Sequence, residues 1–149
     1  MIDLSNIWLD ALEFEDYGGW RCETLFVRSV GMGYLIASDI PGEPVQNAVT
    51  TFSVNSAGMY RFFVRTKNWK LPESPGKFKI LIDGNELEHI CGKMPNNNWY
   101  WEIAGDFKLK SGNHTIEIMD KTGWLSRFSA IFITDDMDIT PSPEIEVFT

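Results

Sequence analysis

Apolar and polar residues alternate along much of this chain, and the clearest run is Gly58-Met59-Tyr60-Arg61-Phe62-Phe63-Val64-Arg65-Thr66. A period of two puts Tyr60, Phe62 and Val64 on one face and Arg61, Phe63 and Arg65 on the other, which predicts a strand with one apolar and one mixed face. Lys77-Phe78-Lys79-Ile80-Leu81-Ile82 runs into Asp83-Gly84-Asn85 and returns through Glu86-Leu87-Glu88-His89-Ile90, a hairpin signal. A second hairpin is predicted where Phe107-Lys108-Leu109-Lys110 reaches Ser111-Gly112-Asn113 and continues as His114-Thr115-Ile116-Glu117-Ile118-Met119. Segments 12–15, 24–27, 50–54 and 129–134 have the same character, and no stretch sustains a helical period.

Eight or more short strands with turns between them predict an all-β protein, a two-sheet antiparallel sandwich. Its core is predicted at Phe52, Val54, Tyr60, Phe62, Val64, Phe78, Ile80, Ile82, Ile116, Ile118, Ile131 and Ile133. The chain divides into an N-terminal extension at 1–10, a β-sandwich module at 11–136, and a linker or the start of a following region at 137–149. That last boundary rests on Asp136-Met137-Asp138-Ile139-Thr140-Pro141-Ser142-Pro143, which is polar and proline-bearing.

At 149 residues, 44% hydrophobic and 23% charged, the chain suits one globular domain. No apolar run approaches the roughly 20 residues needed to span a membrane, and Met1-Ile2-Asp3-Leu4 lacks the basic flank and apolar stretch of a signal peptide. The expected location is cytoplasmic for the chain alone and extracytoplasmic if it belongs to a longer secreted protein. A net charge of -8 without a cluster of Lys and Arg argues against nucleic acid as a partner. Cys22 and Cys91 both lie in strand-like sequence, which predicts two buried free thiols.

Six tryptophans are a heavy load for this length, and four of them stand among turn residues. Trp20 follows Gly18-Gly19, Trp69 follows Thr66-Lys67-Asn68, Trp99 follows Pro95-Asn96-Asn97-Asn98, and Trp124 follows Lys121-Thr122-Gly123. Indole presents a broad apolar face at low rotamer cost, suited to stacking on a sugar ring, and loops are where binding groups are mounted. The alternative is that these indoles plug the ends of the sandwich. The sequence holds no Gly-x-Ser-x-Gly elbow, His-Glu-x-x-His, Cys-x-x-Cys, Walker A loop or Gly-x-Gly-x-x-Gly. His89 and His114 lie in strand-like runs with no third ligand beside them, which points to structural roles. A glycosidase needs only two facing carboxylates, for which Glu102 with Asp120 is an example, but a bare sandwich offers little groove.

Leu12-Glu13-Phe14-Glu15-Asp16-Tyr17, the Ala57-Gly58-Met59-Tyr60 entry into a strand, and Leu109-Lys110-Ser111-Gly112-Asn113-His114-Thr115-Ile116 resemble galactose-binding-like jelly rolls, especially carbohydrate-binding modules of families 6 and 35. Glu15-Asp16-Tyr17-Gly18-Gly19-Trp20, Val64-Arg65-Thr66-Lys67-Asn68-Trp69, Trp99-Tyr100-Trp101 and Asp120-Lys121-Thr122-Gly123-Trp124 resemble a golvesin-like module joined to bacterial FAD-dependent oxidoreductases and polysaccharide lyases. The resemblance spans about residues 11–136. It implies a jelly roll and a non-catalytic module that binds an oligosaccharide or polysaccharide. It also implies a structural calcium held in part by Glu13 and Glu15, ions of the kind that hard oxygen ligands suit. Ser129 departs from the acidic residue those oxidoreductase-linked relatives tend to carry. No other cofactor is expected.

Two main readings follow. In the first, Trp69, Trp99, Trp101 and Trp124 stack on glycan rings while Arg65, Asn68, Asp120 and Arg127 hydrogen-bond to hydroxyl or carboxylate groups. In the second, the same surface docks against a covalently attached catalytic domain and binds no glycan.

Overall fold

The computed structural model describes residues 6–23, 33–38, 40–70, 73–95 and 98–141. These form ten strands: β1 (Asn6–Asp10), β2 (Arg21–Glu23), β3 (Tyr34–Ile36), β4 (Ala48–Val54), β5 (Gly58–Thr66), β6 (Phe78–Ile82), β7 (Asn85–Glu86), β8 (Tyr100–Leu109), β9 (Gly112–Asp120) and β10 (Arg127–Thr134). One sheet has six strands in the order β2-β3-β10-β5-β8 with β1 also paired to β10, and the other has four in the order β4-β9-β6-β7. All the pairings are antiparallel, and the architecture is a two-sheet jelly-roll sandwich.

All twelve predicted core residues are buried in one cluster between the sheets. Their phase is locked by pairing: Thr50 faces Ile116 and Phe52 faces His114 across β4 and β9, while Ile80 faces Ile118 across β6 and β9. The Asp83-Gly84 turn has φ of 51° and 81°, the left-handed pair of a type I′ hairpin, and Ile82 faces Asn85 beside it. The return strand is shorter than its sequence predicts. It leaves the ladder after Glu86, where the Leu87 N–H still donates to the Ile80 carbonyl at 2.8 Å, and meets β6 again through the bridge between Phe78 and Cys91.

The N-terminal boundary also differs. Asn6–Asp10, assigned to an extension by the sequence, is strand β1 and pairs along β10 from Thr134 to Ala130. Residues 12–15 are not a strand: Ala11–Glu13 form a 3-10 turn, because the Asp10 side chain accepts from the Leu12 N–H at 3.0 Å and the Phe14 N–H returns to the Ala11 carbonyl at 3.2 Å. Three-residue spacing then sends Ala11 and Phe14 into the same core. Segment 24–27 lies outside the described residues. Cys22 is exposed at the sheet edge and Cys91 is buried, and both are free thiols. Past the last strand, the Ile139 N–H bonds back to the Asp136 carbonyl at 3.2 Å and Pro141 is buried, which the proline of a free linker would not be.

The mixed face of β5 is not a solvated face. Phe63 and Arg65 are buried on the outer side of the six-stranded sheet. Beside them Trp101 meets Trp8 edge-on at 5.4 Å between ring centroids, and Phe132 lies 6.1 Å from Phe63 and 6.5 Å from Trp101. The register of β10 against β5 slips between Phe128 and Ala130. Ser129 is therefore the extra residue of a bulge, and Phe128 faces the core while Ala130 stays level with Arg65.

Candidate functional site

The start of β10, the end of β5, the start of β8 and the end of β3 lie together, since Phe128 pairs with Thr66, Thr66 with Tyr100, and Arg127 with Ile36. In the facing sheet Phe78 pairs with Asp120. The loops carrying Trp69, Trp99 and Trp124 leave from these strand ends, so the fold brings the predicted residues to one end of the sandwich.

Two subclusters form there. Trp69 and Trp124 meet edge-on at 5.9 Å, the Trp69 indole N–H donates to the Trp124 carbonyl at 3.2 Å, and the Arg127 guanidinium sits 5.9 Å from the Trp69 ring centre. Gly76 permits this approach: a Cβ there would stand 3.0 Å from the Trp69 Nε1 and 3.1 Å from the Ser126 Cα. Trp99 packs against Tyr34 at 5.0 Å, with the Arg65 guanidinium 5.8 Å from its ring centre. Tyr34, Ile36 and Trp99 form a small buried cluster with Leu125 against it. Trp101 pairs across the strands with Arg65 and continues toward the outer-face aromatics rather than toward Trp69.

Exposure separates these residues. Trp69, Trp101 and Trp124 are half-buried, whereas Trp99 is only 6% exposed and supports the site from beneath. Asn68 is buried, and its amide N–H groups donate to the Ser74 hydroxyl at 2.7 Å and the Met94 carbonyl at 2.9 Å. Asp120 is engaged inside the protein. Its Oδ1 accepts from the N–H groups of Thr122 at 3.1 Å and Gly123 at 3.0 Å and from the Ser126 hydroxyl at 3.0 Å, while Oδ2 accepts from the Val45 N–H at 3.1 Å. That buried carboxylate ties the loop before β10 to residues 40–47, and it is a support of the site rather than an exposed ligand contact. Glu102 is likewise buried and engaged, so Glu102 and Asp120 do not form an open carboxylate pair.

Leu125 holds the left-handed backbone region at φ 59°, a conformation that costs a non-glycine residue roughly 1–3 kcal/mol. It is fixed there by its N–H bond to the Ser38 carbonyl at 3.1 Å and by the Ala37 N–H bond to the Ser126 carbonyl at 2.8 Å. Charge also gathers at this end. Burial draws the Arg127 pKa down from its ordinary value, with Tyr34 and Glu23 opposing. Burial, and then the nearby Arg127 charge, draw Lys67 down. Lys67 and Tyr34 were not picked out by the sequence; the signal available for Lys67 was its place between Arg65 and Trp69.

Glu13 and Glu15 lie elsewhere, beside an open hollow lined by Trp8, Asp10, Thr50 and Thr51. Glu15 is held below the ordinary carboxylate range chiefly by the Thr51 hydroxyl, and its Oε1 also accepts from the Thr51 N–H at 3.0 Å. Burial, opposed by the Leu12 N–H, raises Asp10, and Glu13 raises it further. Glu13 and Glu15 border this hollow together with Asp10, Glu13 from the 3-10 turn and Glu15 with its Oε1 engaged by Thr51. Among the described residues the one cluster of three or more side chains spaced for a metal is His89, Cys91 and Glu102.

The chain matches no protein-family model and no curated protein sequence. Solved structures do match. A GH26-CBM35 β-(1,4)-mannanase from Podospora anserina superposes with a TM-score of 0.68 at 18% identity, covering 93% of this chain and 29% of that one. A family 35 carbohydrate-binding module from Clostridium thermocellum gives 0.67 at 20% identity over 86% of this chain and 98% of its own. The C-terminal family 6 module of a marine laminarinase from Zobellia galactanivorans gives 0.63 at 15% identity, covering 87% and 99%. The chain thus spans less than a third of the mannanase but nearly the whole of each isolated module, and its fold is that of the family 35 and family 6 carbohydrate-binding modules.

Proposed function

We propose that this protein is a non-catalytic carbohydrate-binding module that takes a glycan at the loop end of the sandwich. The observation that carries the reading is the meeting of two half-buried indoles, Trp69 and Trp124, with the Arg127 guanidinium lying against Trp69. Arg127 is only 6% exposed, and its Nε–H donates to the Leu125 carbonyl at 3.2 Å. Indole faces stack on sugar rings, and the positive charge held close behind them suits a sugar bearing an acid group. Lys67 and Arg65 add positive charge nearby, which sets this end apart from a chain whose net charge is -8. The likeness in fold to family 35 and family 6 modules supports the same reading as an analogy. Trp99, Asn68 and Asp120 act as the frame that holds the surface.

The test is titration calorimetry against neutral and uronic-acid oligosaccharides. Trp69→Ala and Trp124→Ala should each weaken binding by about 1–3 kcal/mol while the domain stays folded. Arg127→Ala should cost more for acidic than for neutral sugars. Absence of heat from every sugar with the folded wild-type chain would reject the reading. A second reading is favoured by the mannanase, in which the matching region is 29% of a larger chain. There the surface would dock an attached catalytic domain, and its indoles would ignore sugars yet lose exposure when that domain is present.

A further inference from the structure

The segment after β7 crosses from one sheet to the other and carries His89 and Cys91. Cys91 is bridged to β6, its N–H donating to the Phe78 carbonyl at 2.8 Å and its carbonyl accepting from the Phe78 N–H at 3.1 Å. Across the gap stands Glu102, on edge strand β8 of the six-stranded sheet. It pairs with Val64 and so points between the sheets, where it is 4% exposed. A carboxylate buried on the core side of a sheet is costly unless its oxygens are satisfied. Its Oε1 is satisfied by the Gly92 N–H at 3.0 Å and the Tyr100 hydroxyl at 3.3 Å. Its Oε2 faces the imidazole Nε2 of His89. The Cys91 sulfur completes a triangle in which every donor atom lies within 4.8 Å of the others.

We propose that His89, Cys91 and Glu102 form a zinc site that staples the two sheets together at this edge. One thiolate, one imidazole and one carboxylate are donors that zinc takes readily, and tetrahedral bonds of about 2.0–2.3 Å place such donors about 3.3–3.8 Å apart. To admit the ion, the His89 imidazole and the Glu102 carboxylate, now in direct contact, would separate while the Cys91 sulfur stays within 4.8 Å of both. The Gly92 N–H and the Tyr100 hydroxyl aim one oxygen of Glu102 away from the ion and leave the other toward it, the outer-layer support that such ligands usually have. Gly92 adopts φ +90°, and a Cβ there would fall 2.3 Å from the Gly76 carbonyl, so the backbone beside Cys91 is closely fitted. His89 is the accessible member, with its side chain 41% exposed, and it opens on a hollow lined by Leu87, Ala104 and Phe107 through which the ion and a fourth ligand, water, arrive. On binding, the sulfur–zinc bond forms as the Cys91 thiol proton leaves to solvent.

The test is titration of the reduced full chain with zinc, followed by cobalt substitution. One equivalent should bind, and zinc at a hundredfold excess over its Kd should raise the Tm by roughly 5–10 °C. Cobalt should give a near-ultraviolet thiolate charge-transfer band that disappears in Cys91→Ser and persists in Cys22→Ser. His89→Gln, whose amide can still donate to Glu102, should weaken zinc by more than about 100-fold, beyond the loss typical of outer-layer partners. The proposal is overturned if the wild type takes up no stoichiometric zinc, if the cobalt band follows Cys22, or if His89→Gln binds as tightly as wild type. Sugar titrations do not enter these readouts, so the site stands or falls apart from glycan binding.

Discussion

Replacing Asp120 probes the frame of the loop end without touching its surface. The carboxylate is 2% exposed and accepts four hydrogen bonds, from Val45, Thr122, Gly123 and Ser126. In Asp120→Ala, Thr122 is half-buried and can turn to water, and the Ser126 hydroxyl keeps its bond to the Lys77 carbonyl at 3.0 Å. The N–H of half-buried Val45 can likewise turn to water, and the buried Gly123 N–H is left stranded, at a cost of about 2 kcal/mol. For a chain of this size that is a fall in Tm of roughly 4–8 °C. Asp120→Asn separates the bonds. Its oxygen can keep the three donors at the Oδ1 position, but its NH2 group then confronts the Val45 N–H, for a cost of about 2 kcal/mol. The assay is urea and thermal denaturation followed by tryptophan fluorescence. If Asp120→Asn is neutral, or Asp120→Ala costs less than about 1 kcal/mol, the carboxylate is not the tie that the distances describe.

In the core, Phe62→Ala should cost about 3–5 kcal/mol in urea denaturation, because a fully buried ring packed 6.1 Å from Phe52 leaves a cavity, while Met59→Ala on the exposed neighbour should cost almost nothing. His114 should make stability depend on pH. Burial works against its charge, but bonds to Asp83 and to the Lys110 carbonyl outweigh it and raise the folded pKa, while Asp83 is lowered through its bonds to Thr115 and His114 despite its own burial. A raised His contributes fully below its unfolded value near 6.5 and loses that contribution as pH rises through its folded value, so the domain should melt higher at about pH 5 than at about pH 8.5. His114→Gln should flatten that difference, and an unchanged profile would refute the pairing.

The strands with strict alternation were legible from residue order alone, because in Tyr60-Arg61-Phe62 or Ile116-Glu117-Ile118 only one phase buries the apolar set. Strand β1 was not, since Ile7-Trp8-Leu9 is apolar at every position and carries no period. Its two faces both find apolar partners, Ile7 and Leu9 in the core and Trp8 against Trp101. In β8, hydrophobicity alone would turn Trp101 and Ile103 inward, yet pairing with β5 turns Glu102 and Ala104 inward and leaves Ile103 46% exposed. That inversion is why Glu102 could not be joined to His89 and Cys91 beforehand: the third ligand comes from a strand whose facing is fixed by its neighbour. At the loop end, the tryptophan-bearing segments marked the right region. Which indoles stay partly open depended on contacts such as Tyr34 against Trp99, which join strands far apart in sequence.

The extra residue at Ser129 is absorbed by the bulge, so the opening of β10 keeps its facing while odd and even positions exchange roles across it. Upstream of that residue the odd-numbered position, Arg127, looks outward, while downstream the odd-numbered positions, Ile131 and Ile133, look inward. Deleting Ser129 would restore unbroken alternation and leave Phe128 facing the core and Arg127 outward, whereas flattening the bulge with Ser129 kept would turn Arg127 toward the core and Phe128 outward. The bulge is thus what keeps the cation at this end: the strand can be one residue shorter without losing it, but cannot give up the bulge at its present length.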